Sequence, residues 1–411
     1  MSHATRTSAR NGTGNILEIG LWITLATLMV LLPNAFKDVA AGTLGITAIY
    51  YITTKRRFLS RTLLLIWIST SLVTLLYILV GLANGAPTEA SDQVLIIYII
   101  SPILWTIALR GALQNFGLDA MIKFLLFITP LAMLSQAFYY WAYFAGRFSG
   151  ILDLMAGSAN VDLSEDNVAA VMFIFGSMIF LYSGFFASSE VVGSKLVRWL
   201  FIFAILVSAT TSGRSALILA LAIGGATAFF LSFTSITRIK MDIVAPILIL
   251  PIAAVSSYFI LLNLYGIDIR LGLEDLLEKI ASGGGAARQN YVPQLLSGAA
   301  DNFFLGAGHG IGVEYVASGD FPWRYEVVGA ATLYRVGAVG TAIYAMPFIF
   351  SVRNAVLKAR NTGLDRNEKY LLGALLASLV SANTNPYIEA VVFQWMYIFP
   401  ATYFIDKKHL R

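Results

Sequence analysis

The sequence predicts an all-α polytopic membrane protein of about twelve transmembrane helices, with one integral membrane domain over 1–411 and a large extracytoplasmic loop over 264–326. Three observations carry this. The chain is 58% apolar and only 12% charged, with a mean hydropathy of +0.74, whereas soluble domains carry about 25% charged residues. Apolar windows of roughly 20 residues recur along it, each long enough to cross a hydrocarbon core of about 30 Å. They are continuous rather than alternating, which excludes a lipid-facing β-barrel.

The polar start, Met1 to Gly14 with Arg6 and Arg10, lacks the short apolar core and small-residue cleavage site of a signal peptide. It reads as a cytoplasmic tail. Spans are expected near 16–33, 38–54, 62–82, 93–109, 119–144 and 168–187, then near 196–211, 215–233, 243–263, 328–350, 370–384 and 388–405. Lysine and arginine fix the orientation, because positive residues near span ends stay on the cytoplasmic side. With both termini inside, only Lys37, Arg147, Arg214, Arg270, Lys279, Arg288, Arg324 and Arg335 fall on the outer side, leaving 20 of the 28 inside. The loop over 264–326 then lies outside the cytoplasm.

That loop is the longest run unable to sit in lipid. Within it, Leu273, Leu276, Leu277 and Ile280 recur at helical spacing opposite Glu274, Asp275, Glu278 and Lys279. This predicts an amphipathic helix over 268–281, lying on the membrane surface or against the span ends. A second helical piece is expected over 288–300, followed by a turn at Gly306, Gly308, Gly310 and Gly312. Glycine at that density lets backbone approach backbone or ligand closely.

Chemistry is expected from the outer cations. Arg214 sits at a tight corner in SGRSAL, and Arg147, Arg270 and Arg288 lie in outer segments. Any one of them could pair with a neighbouring carboxylate or snorkel to headgroups. Four facing one region fit a polyanion better, since a guanidinium fork binds two phosphate oxygens and keeps its charge. A lipid diphosphate presents its phosphates at headgroup depth. His309, in the glycine turn, can exchange a proton or donate to phosphate, or simply bond a carbonyl. Glu326 stands at the mouth of the next span and Arg335 about two turns into it, where an ionisable residue is costly and is usually functional or paired. Cysteine is absent, which excludes thiolate chemistry. The sequence contains neither a phosphate-binding glycine loop nor a dinucleotide fingerprint, and no metal-ligand spacing. No cofactor, metal or nucleic-acid partner is therefore expected.

These features, in this order, resemble the O-antigen polymerase and ligase superfamily, the Wzy-type membrane glycosyltransferases. The likeness rests on SGRSALILALA around Arg214, and on Arg288 followed by FLGAGHGIG and Glu326. RVGAVGTAIY closes the series, and an earlier loop runs from RFSGILDL through SEDNVAAVMFIFG. It covers roughly 140–350. The resemblance implies a metal-independent, inverting GT-C-type enzyme in the bacterial inner membrane, active on the periplasmic face. Its donor would be an oligosaccharide on undecaprenyl diphosphate, held by Arg147, Arg214, Arg270 and Arg288 with Arg335. Preorganised cations would stabilise the departing diphosphate. Glu326, then His309, are the candidate bases.

Ligases of the family, which deliver glycan to a lipid A core, carry a His-Asn pair where this chain has Glu326 and Val327. That departure favours a polymerase, whose acceptor is another lipid-linked repeat. Membrane lipid and a chain-length regulator protein are the other expected partners. A lipid-linked oligosaccharide transporter is the alternative from another class, although such a protein would spread its polar residues through several spans.

Overall fold

The structure, a computed structural model, describes residues 16–33, 36–54, 60–144, 175–212, 214–233, 256, 259, 286–316 and 321–406. Every regular element among them is helical. In chain order they are α1 (Ile16–Ala26, continued by a π turn Thr27–Leu31), α2 (Lys37–Thr54), α3 (Arg61–Ala83) and α4 (Thr88–Leu95). A π turn Ile96–Ile100 leads into α5 (Ser101–Phe144), then α6 (Phe175–Ala187), α7 (Lys195–Thr211) and α8 (Ser215–Phe233). The last four are α9 (Ala286–Asp301), α10 (Val328–Asn361), α11 (Arg366–Ser381) and α12 (Trp395–Asp406). Apart from residues 256 and 259, the expected span over 243–263 lies outside the described residues, as does the amphipathic helix over 268–281.

Local chemistry sets the helix ends. Ser60 caps α3 by accepting from the Leu63 N–H at 3.4 Å, and Asp365 with Glu368 forms a capping box at the start of α11. Helical geometry in α5 fails at one residue, Gly117, with φ 77°. This corner falls between the two spans expected over 93–109 and 119–144. Before α12, the Asn383–Pro386 turn leads into two 3₁₀ turns, Tyr387–Glu389 and Val391–Phe393. The helix therefore starts at Trp395 rather than near 388.

Three helices, Arg61–Ala83, Thr88–Tyr139 and Val328–Asn361, are long and apolar enough to cross a membrane among the described residues. They and their neighbours expose rows of aliphatic side chains, including Ile46, Ile49, Leu72, Leu76 and Leu79. Such a surface is at home in lipid rather than water. This is a helical membrane protein.

The core is centred on α6, nearly every residue of which is buried. It packs on α8 and α11, which also pack on each other. Small residues permit the approach: Gly184 lies under the Tyr370 ring, Gly224 against the Ser183 carbonyl and Gly373 against Ala187. Without a hydrophobic driving force between helices in lipid, this close packing is what holds the three together. A second, smaller apolar cluster joins Tyr291, Leu295 and Ala299 of α9 to Ala307, Tyr325 and the start of α10 through Ala331 and Tyr334. It fixes the loop between α9 and α10 onto one end of the bundle, called here the loop end. A buried pair, Arg110–Asp406, and a half-buried one, Lys358–Glu368, tie helices at the other end.

Candidate functional site

The loop after α9 closes a break in α10. Gly337 adopts φ 65° and leaves helical geometry, which frees backbone groups around it. The loop takes them up: Ala307 N–H donates to Tyr334 O at 2.8 Å, Gly308 N–H to Arg335 O at 2.9 Å, and Ala338 N–H to Phe304 O at 2.9 Å. The same strap crosses α3, with His309 N–H on Tyr77 O at 2.8 Å and Asn84 Nδ2 on Ala307 O at 2.9 Å. At Gly308, φ +101°, a Cβ would collide with the backbone of Gly81. The glycine cluster thus serves close backbone contact between strap, α3 and α10.

Beneath the strap lies a buried ionic network. Arg335 and Glu389, whose side chains are 4% and 3% exposed, pair through Nη1 and Oε1 at 2.7 Å. Tyr98 donates to the same Oε1 at 2.6 Å. Arg335 Nη2 donates to the Trp323 carbonyl, and Arg324 Nη2 to the Glu389 carbonyl at 2.9 Å. The segment leading to Glu326 is thereby pinned at two points. His309 stacks obliquely on Tyr98 with ring centroids 5.2 Å apart, and its Nε2 meets the Tyr344 hydroxyl at 3.0 Å. Burial, and after it the Arg335 charge, push the His309 imidazole down to about 3. A folded pKa below the unfolded value of about 6.5 means the unfolded chain binds the proton more tightly. Stability from this residue is complete above about pH 6.5 and is lost as pH falls toward 3, with about 2 kcal/mol gone by pH 5. A pH series of thermal melts, run against His309→Gln as the control without the titrating group, checks this.

Nearer the surface, a second group gathers at the loop end. Arg288, in the first turn of α9, donates from Nε at 2.9 Å and Nη2 at 2.7 Å to Oε2 of Glu326. Its Nη2 also donates to the Thr384 carbonyl. Glu326 is half exposed at 48%, while the Arg288 side chain is only 18% exposed. The Tyr291 phenol beside it is pushed up by burial, with Glu326 adding to the shift and Arg288 opposing it. Tyr387 links in a further cation. Burial raises its phenol, Arg214 opposes that and Glu326 reinforces it, so Arg214 and Glu326 act on one side chain. Arg214 is itself held at the corner between α7 and α8, where its N–H donates to Ser212 Oγ at 3.1 Å. Asn383 adds an amide whose Oδ1 accepts from Gly329 N–H at 2.9 Å.

The structure therefore pairs Arg288 with Glu326, while Arg214 stands at the corner between α7 and α8, with its charge felt at Tyr387. Arg335 and His309 instead sit in the buried network, facing Glu389 and Tyr344 rather than the surface. Arg147 and Arg270 fall outside the described residues. Sequence reasoning passed over Glu389, Tyr387, Tyr98 and Tyr344. Glu389 had a signal, since an arginine two turns into a span calls for a buried carboxylate on a neighbouring segment. Tyr387 had none, because one tyrosine beside a proline at a span end looks like any interfacial aromatic.

No protein-family model, curated protein or solved structure matches the chain.

Proposed function

We propose that this chain is a membrane glycosyltransferase of the GT-C type, using a polyprenyl-diphosphate-linked glycan as donor. Within that class we assign it as an O-antigen or exopolysaccharide polymerase with about twelve spans, lying in the bacterial inner membrane with both termini cytoplasmic and its site on the periplasmic face. One observation carries the reading. Arg288 directs two donors at a single anionic oxygen at the loop end. A solvent-open ion pair contributes only about 0–1 kcal/mol. A diphosphate with several oxygens and greater charge is a stronger partner for the fork, so Glu326 holds a place that a donor phosphate takes over.

The chemistry follows from that exchange. Once the phosphate engages Arg288, Glu326 is released as a carboxylate beside the reacting centre. An acceptor sugar hydroxyl attacks the anomeric carbon, and its proton passes to Glu326. As the new C–O bond forms, the bond to the diphosphate oxygen breaks and its electron pair leaves with the diphosphate, with inversion at carbon. Arg288 and Arg214 stabilise the charge that develops there, with Arg147 and Arg270 as further expected donors to it. His309 is the weaker base candidate, because its imidazole is buried and turned to Tyr344. No step calls for a metal.

Glu326→Gln keeps the shape but removes the base. Transfer is expected to slow by about 10²–10⁴-fold, with donor affinity equal to or tighter than wild type because the competing carboxylate is gone. Single-turnover transfer and equilibrium binding of the lipid-linked donor, measured on one preparation, separate the two effects. Turnover equal to wild type would exclude Glu326 as base.

A further inference from the structure

Three buried polar atoms in the network under the strap lack a hydrogen-bond partner: His309 Nδ1, Arg335 Nε and Gln93 Oε1. They belong to three separate elements, the strap, α10 and α4. All three residues line one small pocket, together with Tyr98, Trp323 and Glu389, with about 10 Å³ of room for the centre of a water-sized sphere. That is the scale of a single water, which needs about 10–15 Å³ on this measure and two to four polar partners.

The hydrogen-bond directions fix what the cavity accepts. Thr74 donates its only hydroxyl hydrogen to Thr70 O at 2.8 Å. Its contact with the Tyr344 hydroxyl at 2.7 Å must then be a bond donated by Tyr344. Tyr344 has no hydrogen left, so at 3.0 Å it accepts from His309 Nε2–H. A neutral imidazole with its proton on Nε2 carries a bare lone pair on Nδ1. The unpaired groups on the residues that line the pocket are therefore two acceptors, Nδ1 and Gln93 Oε1, and one donor, Arg335 Nε–H.

We infer that this cavity is a binding site for one water molecule, which accepts from Arg335 Nε–H and donates to His309 Nδ1 and Gln93 Oε1. The match is complete in number and in sign. A cation would meet the Arg335 guanidinium, and an anion would meet two lone pairs. An apolar filling would leave three buried groups unpaired, each at about 1–3 kcal/mol. The water joins α4, the strap and α10 at the point where Arg335 also holds the Trp323 carbonyl. It thus helps position the segment that ends in Glu326, and it stands independently of the reaction proposed above.

The chain has only three histidines, His3, His309 and His409, so ¹⁵N-histidine labelling in lipid vesicles resolves the site. Solid-state NMR at neutral pH is expected to show His309 protonated on Nε2, with Nδ1 in contact with a long-lived water. Protonation on Nδ1, a coupling from the Gln93 amide nitrogen across to Nδ1, or an Nδ1 without a water contact would each overturn the assignment. Gln93→Leu removes one acceptor; it should weaken the water contact several-fold while leaving the Nε2 proton in place. A contact of wild-type strength in that variant would also overturn it. Where the variant does not fold, the wild-type spectrum alone decides.

Discussion

Arg288→Ala is expected to lower glycan chain elongation by at least about 10²-fold while leaving membrane insertion and thermal stability close to wild type. The magnitude follows from the role proposed for the guanidinium, since removing one preorganised donor from a developing negative charge costs about 10²–10³ in rate. The small effect on folding follows from its setting. Its partner Glu326 is half exposed, so water can replace the lost fork, and exposed pairs contribute about 0–1 kcal/mol. Arg288→Lys separates charge from geometry: it keeps the cation but loses the fork that places two donors on one oxygen, so partial activity is expected. Arg214→Ala should act in the same direction. Chain lengths resolved on a gel, together with membrane-fraction blots, give both readouts; wild-type lengths in both alanine variants would remove the phosphate clamp.

The opposite pattern is expected for the buried pair. Arg335→Ala or Glu389→Ala leaves one desolvated charge without its partner, which costs about 3–5 kcal/mol. Arg335→Ala also releases the Trp323 carbonyl, one of the two points that pin the segment before Glu326, and Glu389→Ala frees the Tyr98 hydroxyl. Replacing both residues with apolar ones of similar volume, Arg335→Met with Glu389→Leu, should recover much of the loss, because a buried ion pair and a well-packed apolar pair are often close in stability. Thermal melts of the purified singles and double in detergent check this. Singles within about 0.5 kcal/mol of wild type, the general scale for surface changes, would show that the pair does not pin the segment before Glu326.

Much of the helical layout could be read from the sequence, because twenty apolar residues in a row have few alternatives in lipid. The observed helices Lys37–Thr54, Arg61–Ala83 and Ser215–Phe233 lie close to the windows expected over 38–54, 62–82 and 215–233. Helix ends set by local chemistry were less legible. α10 runs to Asn361, past 350, because its basic last turn, with Lys358 and Arg360, remains helical. Hydropathy does not register such a turn.

Of the candidate site, Arg288 was legible as an outer cation and Glu326 as an ionisable residue at the mouth of a span, but their contact was not. It depends on α9 being folded back onto α10 through Tyr291, Tyr325 and Tyr334. Their 38-residue separation in the chain carries no such information. The glycine cluster was read as freedom for backbone to meet backbone or ligand. Its strap meets the backbone of α3 and of the break at Gly337. A break of that kind shows in a sequence only as one glycine among many.

The most direct test of the glycosyltransferase assignment is product analysis with the purified protein. It would be incubated in detergent with a single undecaprenyl-diphosphate-linked repeat unit, without added metal, and the products run on a gel. A ladder of lengthening glycans, lost in Arg288→Ala, is the predicted result. Transfer only after lipid A core is supplied would move the assignment to a ligase. No new glycosidic bond under either condition would contradict the account and leave a transporter in its place.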